Sequence, residues 1–160
     1  MNYSFDARGN LRPYEVIRIE SLSEFEQTFV TAFPLSAARF SIYTGLLEYI
    51  QALGDVLMQV GYKGSWRLWI NGSFTTNKLN PNDVDVLSLL DDEAVLHQHK
   101  NWFEPLFGQN AFQTYQTDAY FLLNTNTAQA QELASYWTDQ FGTDRNGAKK
   151  GIIELLIDLN

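Results

Sequence analysis

The chain has no cysteine, which excludes disulfide scaffolds and cysteine-based zinc or iron–sulfur sites. Histidine is scarce as well. His97 and His99 stand two apart in an expected helix, so they do not share a face and are not a metal pair. With no plausible Ser/His/acid set, nucleophilic hydrolase chemistry has little support. No apolar run approaches the roughly 20 residues needed to span a bilayer. The opening MNYSFDARGN shows no basic segment followed by an apolar one, and the expectation is a cytoplasmic protein without a membrane partner. Basic residues are few: 11 against 19 acidic, a net charge of −8. That argues against broad duplex DNA binding, which needs many neutralised phosphates. A small nucleotide or a short RNA end held locally is compatible with it, and excess acid suits a divalent cation site. What the chain does have is apolar mass. Its 160 residues are 45% hydrophobic and 14% aromatic, enough for one domain with a packed core.

Residues 1–20 read as an irregular arm with a short strand at 14–19. Ser21-Leu22-Ser23-Glu24 has capping-box spacing and predicts a helix start, with Phe25, Phe29, Ala32 and Phe33 on its apolar face and Pro34 at its end. Ser36 is placed to cap a second helix reaching about Val60. Phe40, Tyr43, Leu46, Leu47, Ile50 and Leu53 recur there at helical spacing. Strands are expected at 66–70, 83–90 and 117–123, and helices at 91–106 and 127–140. Asp91, Asp92 and Glu93 complement the positive end of the first of these helices. A basic loop spans 141–150, and 151–158 is a strand or a short helix. Trp66 and Trp69 fall on opposite faces of their strand, and Tyr120 faces the same side as Asp118, where it would stack on a base or simply pack. Strands and helices intermix, which predicts an α+β domain: a sheet with helices packed against it.

Three stretches carry chemistry. Asn71-Gly72-Ser73 follows an apolar strand, Asp83-Val84-Asp85 opens another, and Asp118 lies early in a third. Residues i and i+2 of a strand point the same way. Asp83 and Asp85 therefore sit side by side, and both stay ionised only with a cation or strong donors between them. Magnesium takes one or two carboxylates plus substrate phosphates. The plainer alternative is a strand edge with two solvated acids. Gly72 lets backbone approach a phosphate without a Cβ in the way, and backbone N–H groups with the Ser73 hydroxyl can bind its oxygens. An ordinary turn would use the same residues. Arg145, Lys149 and Lys150 form a local positive patch, either a clamp on phosphate or a solvated loop. Lys78, in the spacer, can reach the same phosphates. Asp91 and Asp92 are weaker site candidates. An extended chain carries them roughly 20 Å past Asp85, at about 3.3 Å per residue.

A strand, Gly-Ser, a spacer of about ten residues and Asp-x-Asp together resemble the signature of the polymerase-beta-like nucleotidyltransferase superfamily. The segments Asn-Leu-Arg-Pro, Leu-Trp-Ile-Asn-Gly-Ser-Phe-Thr-Thr-Asn-Lys and Phe-Gly-Thr-Asp-Arg-Asn-Gly-Ala-Lys-Lys-Gly-Ile look like a bacterial and phage family of small nucleotidyltransferase-like proteins, over nearly the whole chain. The resemblance implies a mixed β-sheet of nucleotidyltransferase type in a single domain, 1–160, with an arm (1–20), a helical pair (21–60) and a sheet core (65–160). It implies transfer of a nucleoside monophosphate from a nucleoside triphosphate to a hydroxyl on RNA, a protein or a small molecule. Asp83, Asp85 and Asp118 would bind Mg²⁺ or Mn²⁺, and Gly72 and Ser73 would cradle the β and γ phosphates. The spacer 74–82, with Pro81 and its Asn residues, reads as a loop rather than the helix that often follows Gly-Ser in the superfamily. The competing expectation is a binding module of the same fold, antitoxin-like, whose acidic surface meets a basic protein partner.

Overall fold

The computed structural model describes residues 3–123 and 127–159, with the side chains of Glu93 and Ala94 excepted. Met1 and Asn2 of the arm, and the Glu93 side chain expected in a first helical turn, lie outside the described residues.

Among the described residues, seven strands form two sheets. β1 (Ser4–Phe5) and β2 (Leu11–Arg12) make a small antiparallel pair. The main sheet has the order β3-β7-β4-β5-β6, with β3 Val16–Arg18, β4 Ser65–Asn71, β5 Val84–Leu90, β6 Thr117–Leu123 and β7 Ile152–Asp158. β3 with β7 and β5 with β6 run parallel; β4 is antiparallel to both its neighbours. The fold is therefore α+β around a mixed five-stranded sheet.

Alternation along the strands separates two apolar layers. Trp66, Leu68, Ile70, Val84, Val86, Ile153 and Leu155 share one cluster with Phe25, Phe29, Ile42, Leu46, Tyr49, Leu53 and Leu57. The last five belong to α2 (Arg39–Gln59), and Phe25 and Phe29 come from the preceding helical segment. On the other face Trp69, Leu87, Leu89, Leu122 and Ile152 pack with Phe141 and Trp137 of α6 (Ala128–Phe141). Trp66 and Trp69 thus serve opposite layers, as their spacing requires.

Local chemistry accounts for the helices. Ser21 Oγ accepts the Glu24 N–H and caps α1 (Leu22–Glu26), while the Glu24 carboxylate takes the N–H of Glu20 instead of Ser21. The helix widens to a π turn over Gln27–Thr31 before Pro34. Ser36 Oγ accepts the N–H groups of Ala38 and Arg39, so α2 begins at Arg39, three residues beyond the expected cap. The single helix expected over 91–106 is instead α3 (Glu93–Gln98), α4 (Lys100–Phe103) and a 3₁₀ turn (Glu104–Leu106). Pro105 has no N–H to continue an α-helix, and His99 leaves helical geometry at ψ 34°. A further helix, α5 (Gly108–Tyr115), lies where none was expected. Its polar composition hides it, Ala111 being its one buried residue. The segment 151–158, left open between strand and helix, supplies β7, which occupies the sheet between β3 and β4.

Candidate active site

Asp85 pairs in register with Asp118 across the parallel β5–β6 strands, and with Asn71 across the antiparallel β4–β5 strands. Asp83 stands two residues before Asp85, so the three carboxylates share the α6 face at one end of the sheet. Electrostatics report the same closeness. Burial pushes the Asp85 carboxyl up to about 6, and the charges of Asp83 and Asp118 push in the same direction. Burial and then Asp118 also raise Asp83. Among the described residues, no three His, Asp or Glu side chains are drawn together as a ready-made metal cage. The trio shares a face, with Asp85 and Asp118 in register, rather than a coordination sphere. Its chemistry nevertheless fits a hard divalent cation: clustered, half-buried carboxylates that repel one another are stabilised by a cation with oxygen preference.

Register between β5 and β6 has a visible cause. Gln116 closes α5 in the left-handed conformation, with φ 56°. Its Nε2 donates to the Asn82 carbonyl, and its own carbonyl accepts the Val84 N–H. One residue thereby fixes the entries to both acid-bearing strands. Sequence reading passed over it, although Gln before a strand, closing a polar octet, is the trace such a cap leaves.

Gly72 sits against the trio. Its φ is 84° and ψ −165°, a region open essentially to glycine alone. A Cβ there would lie 2.6 Å from Asp85 Oδ2. The bend is held by Asn71, whose Oδ1 accepts the Gly72 N–H at 2.7 Å and whose Nδ2 donates to the Gly151 carbonyl at 3.1 Å. Ser73 opens a short 3₁₀ turn, Ser73–Thr75, and among the described residues its hydroxyl has no protein partner. The spacer is otherwise a loop, as its Pro and Asn content predicts.

Arg39 anchors that loop. It is 1% exposed, and its guanidinium donates to the carbonyls of Phe29, Phe74, Thr76 and Lys78. It also stacks 3.8 Å over the Phe33 ring. Burial lowers its pKa to about 10. The apolar face of α2 gave no sign of it from sequence, because a lone Arg before a helical stripe reads as surface.

The basic candidates divide. Lys150 is half-buried; burial lowers its pKa, and the Asp85 carboxylate raises it back in part. Arg145 acts on Asp83 and Asp85, and Lys78 on Asp83. Lys149 faces away from the carboxylates, into a separate cleft with Arg8 and Arg12. Asp118 Oδ2 accepts the Tyr120 hydroxyl at 3.1 Å, and the ring packs against Trp137. Tyr120 is therefore a neighbour of the site with a packing role. Asp91 and Asp92 are exposed at the far end of β5, Asp92 capping α3.

A family model matches residues 3–156. The chain belongs to DUF6932, a family of unknown function. The match takes in every element of this DUF6932 chain that carries a site residue, from the arm to most of β7. Neither a curated protein nor a solved structure matches the chain.

Proposed function

We propose that the protein is a metal-dependent nucleotidyltransferase, moving a nucleoside monophosphate from a nucleoside triphosphate to a hydroxyl acceptor. The observation that carries this reading is the register of Asp85 with Asp118, with Asp83 two residues before Asp85, beside the Gly72 bend. Three carboxylates facing a cation-lined loop are costly for a folded protein unless a ligand neutralises them.

Asp83, Asp85 and Asp118 would hold Mg²⁺ or Mn²⁺, which when bound neutralises the triphosphate and polarises the reacting phosphoryl group. The remaining work belongs to the chain. The Gly72–Ser73 bend offers the Ser73 hydroxyl, with no side chain at Gly72 to crowd the phosphates. Lys150 and Arg145 compensate the charge that builds on the departing pyrophosphate. The acceptor oxygen forms a bond to the α phosphorus as the α–β bridging bond breaks. The hydroxyl proton passes to a carboxylate. Asp118 is suited to receive it, since Tyr120 engages only its Oδ2. Positioning and charge stabilisation do most of the catalysis in reactions of this class.

The test is calorimetric titration of Mg²⁺–ATP and the other nucleotides into wild type and into an Asp83→Ala/Asp85→Ala variant. Binding by the wild type and loss in the variant supports the reading; equal affinity removes it. Incubation with labelled nucleotides and lysate then shows which molecule becomes labelled.

A further inference from the structure

A cleft of about 460 Å³ opens on the arm side of the same loop, lined by Asp6, Arg8, Arg12, Tyr14 and Lys149. Arg12 acts on Asp6, and Arg8 on Asp144, through longer-range charge attraction alone. Among the described residues none of Arg8, Arg12 and Lys149 makes an ion pair; the two present are Arg18 and Arg67 with Glu154. The nearby carboxylates are already committed to other donors. Asp6 Oδ1 accepts the N–H groups of Arg8 and Asn10, and its Oδ2 accepts the Tyr14 hydroxyl. Asp144 Oδ2 accepts Asn10 Nδ2, and its Oδ1 the N–H groups of Asn146 and Ala148. These bonds also brace the cleft walls, tying arm to loop, and Asn10 Nδ2 reaches the Lys149 carbonyl as well. In a chain with net charge −8, three exposed cations around one hollow with tied walls need a reason.

Lys149 and Lys150 supply its direction. The first faces this cleft; the second faces Asp85. Their Cα atoms are about 3.8 Å apart, so cleft and carboxylates lie on two sides of one loop. Arg8, Arg12 and Lys149 line the cleft on one side of the loop, and Lys150 and Arg145 act on Asp85 from the other. We propose that the cleft binds a backbone phosphate of a single-stranded nucleic acid and leads its terminal hydroxyl to the carboxylates. This rests on the nucleotidyl-transfer reading and names its acceptor. Guanidinium groups match phosphate oxygens in pairs, and a local cluster of this kind is compatible with an acidic protein that does not coat duplex DNA.

The probe is a labelled single-stranded RNA of about ten nucleotides, within the span of compact single-strand sites. Its binding to the full chain is followed by fluorescence anisotropy over a salt series. The comparison is Arg8→Ala/Arg12→Ala, both exposed side chains, with Mg²⁺–ATP affinity measured on the same preparations. The expected result is about tenfold weaker RNA binding and a salt slope shallower by about 1.4, from about 0.7 per lost contact, with ATP affinity kept. Equal RNA affinity in the two proteins overturns the proposal. So does displacement of the RNA by inorganic phosphate or glycerol phosphate at equal phosphate concentration, which makes the cleft a small-molecule phosphate site. RNA binding that depends on Arg8 and Arg12 in a protein that binds no Mg²⁺–ATP supports the cleft and overturns the transferase reading.

Discussion

Asp85 and Asp118 are register partners on parallel strands, so their carboxylates leave the sheet side by side, with Asp83 next along the same face. The pairing makes the ionised site unfavourable in the absence of a cation, and it gives stability a definite dependence on pH. The Asp85 carboxyl titrates near 6 when folded, against an ordinary value of 3.8. Between those values the folded chain holds more protons than the unfolded one. Stability therefore falls as pH rises from about 4 to about 6, then levels off as far as this group is concerned. The raised Asp83 adds to the same slope. Metal-free protein is expected to melt a few degrees lower at pH 7 than at pH 5, at about 2–4 °C per kcal/mol. Asp85→Asn should flatten the slope and raise the neutral-pH melting temperature. An unchanged slope in Asp85→Asn contradicts the assignment. Added Mg²⁺ should act oppositely, stabilising more as pH climbs through about 6, because the ligands must first lose their protons.

Gly72→Ala tests the bend. The new methyl would stand 2.6 Å from Asp85 Oδ2, on a backbone at φ 84°. Strain of this kind costs about 1–3 kcal/mol. Urea denaturation should show that loss, and calorimetry should show Mg²⁺–ATP binding weakened with it, since the carboxylate must move. A variant with wild-type stability and affinity would mean that the bend is not tightly fitted to Asp85.

Much of the site could be read directly from the chain, and the reasons are local. Asp83-Val84-Asp85 has strand periodicity, and two residues on a strand must share a face wherever the strand lies. Gly72 stood out as a glycine after an apolar strand, where backbone can approach a phosphate; that its bend lies against the Asp85 carboxylate is visible only in the fold. Strand β7 was ambiguous, since Gly151-Ile152-Ile153-Glu154-Leu155 has no clean period. Its burial on both faces explains why: Ile153 and Leu155 enter one layer, Ile152 the other, and Glu154 is held by Arg18 and Trp69. The partnership of Asp118 with Asp85 rests on a parallel register set by Gln116, a relation between distant segments. The direction Lys149 faces is another such relation. Adjacent to Lys150 in sequence, it turns to the opposite side of the loop, toward an arm more than a hundred residues away.

Arg39 carries the largest expected loss of stability. Its guanidinium satisfies two carbonyls in the interior and two nearer the surface, and truncation leaves those acceptors without that donor. Each buried unsatisfied group costs about 1–3 kcal/mol, so Arg39→Met should lose at least about 3 kcal/mol in urea. Arg39→Lys keeps the charge but not the planar fork, and should recover only part of the loss. Loss of less than about 1 kcal/mol in Arg39→Met would show that water replaces the guanidinium.

Lys150→Met separates charge from fold. The lysine is half-buried and faces Asp85, holding that carboxyl below the value burial and its acidic neighbours would otherwise impose. Its removal should carry the Asp85 titration upward. The Mg²⁺-induced rise in melting temperature should then begin at higher pH than in wild type. Nucleotide affinity should fall further than Mg²⁺ affinity, since Lys150 is assigned to phosphate rather than metal. Methionine fills a similar volume with an apolar chain, and relieving a partly desolvated ammonium offsets the lost attraction. Melting temperature without ligand should thus change little. A pH onset identical to wild type would detach Lys150 from the carboxylates and leave Arg145 as the cation that faces Asp85.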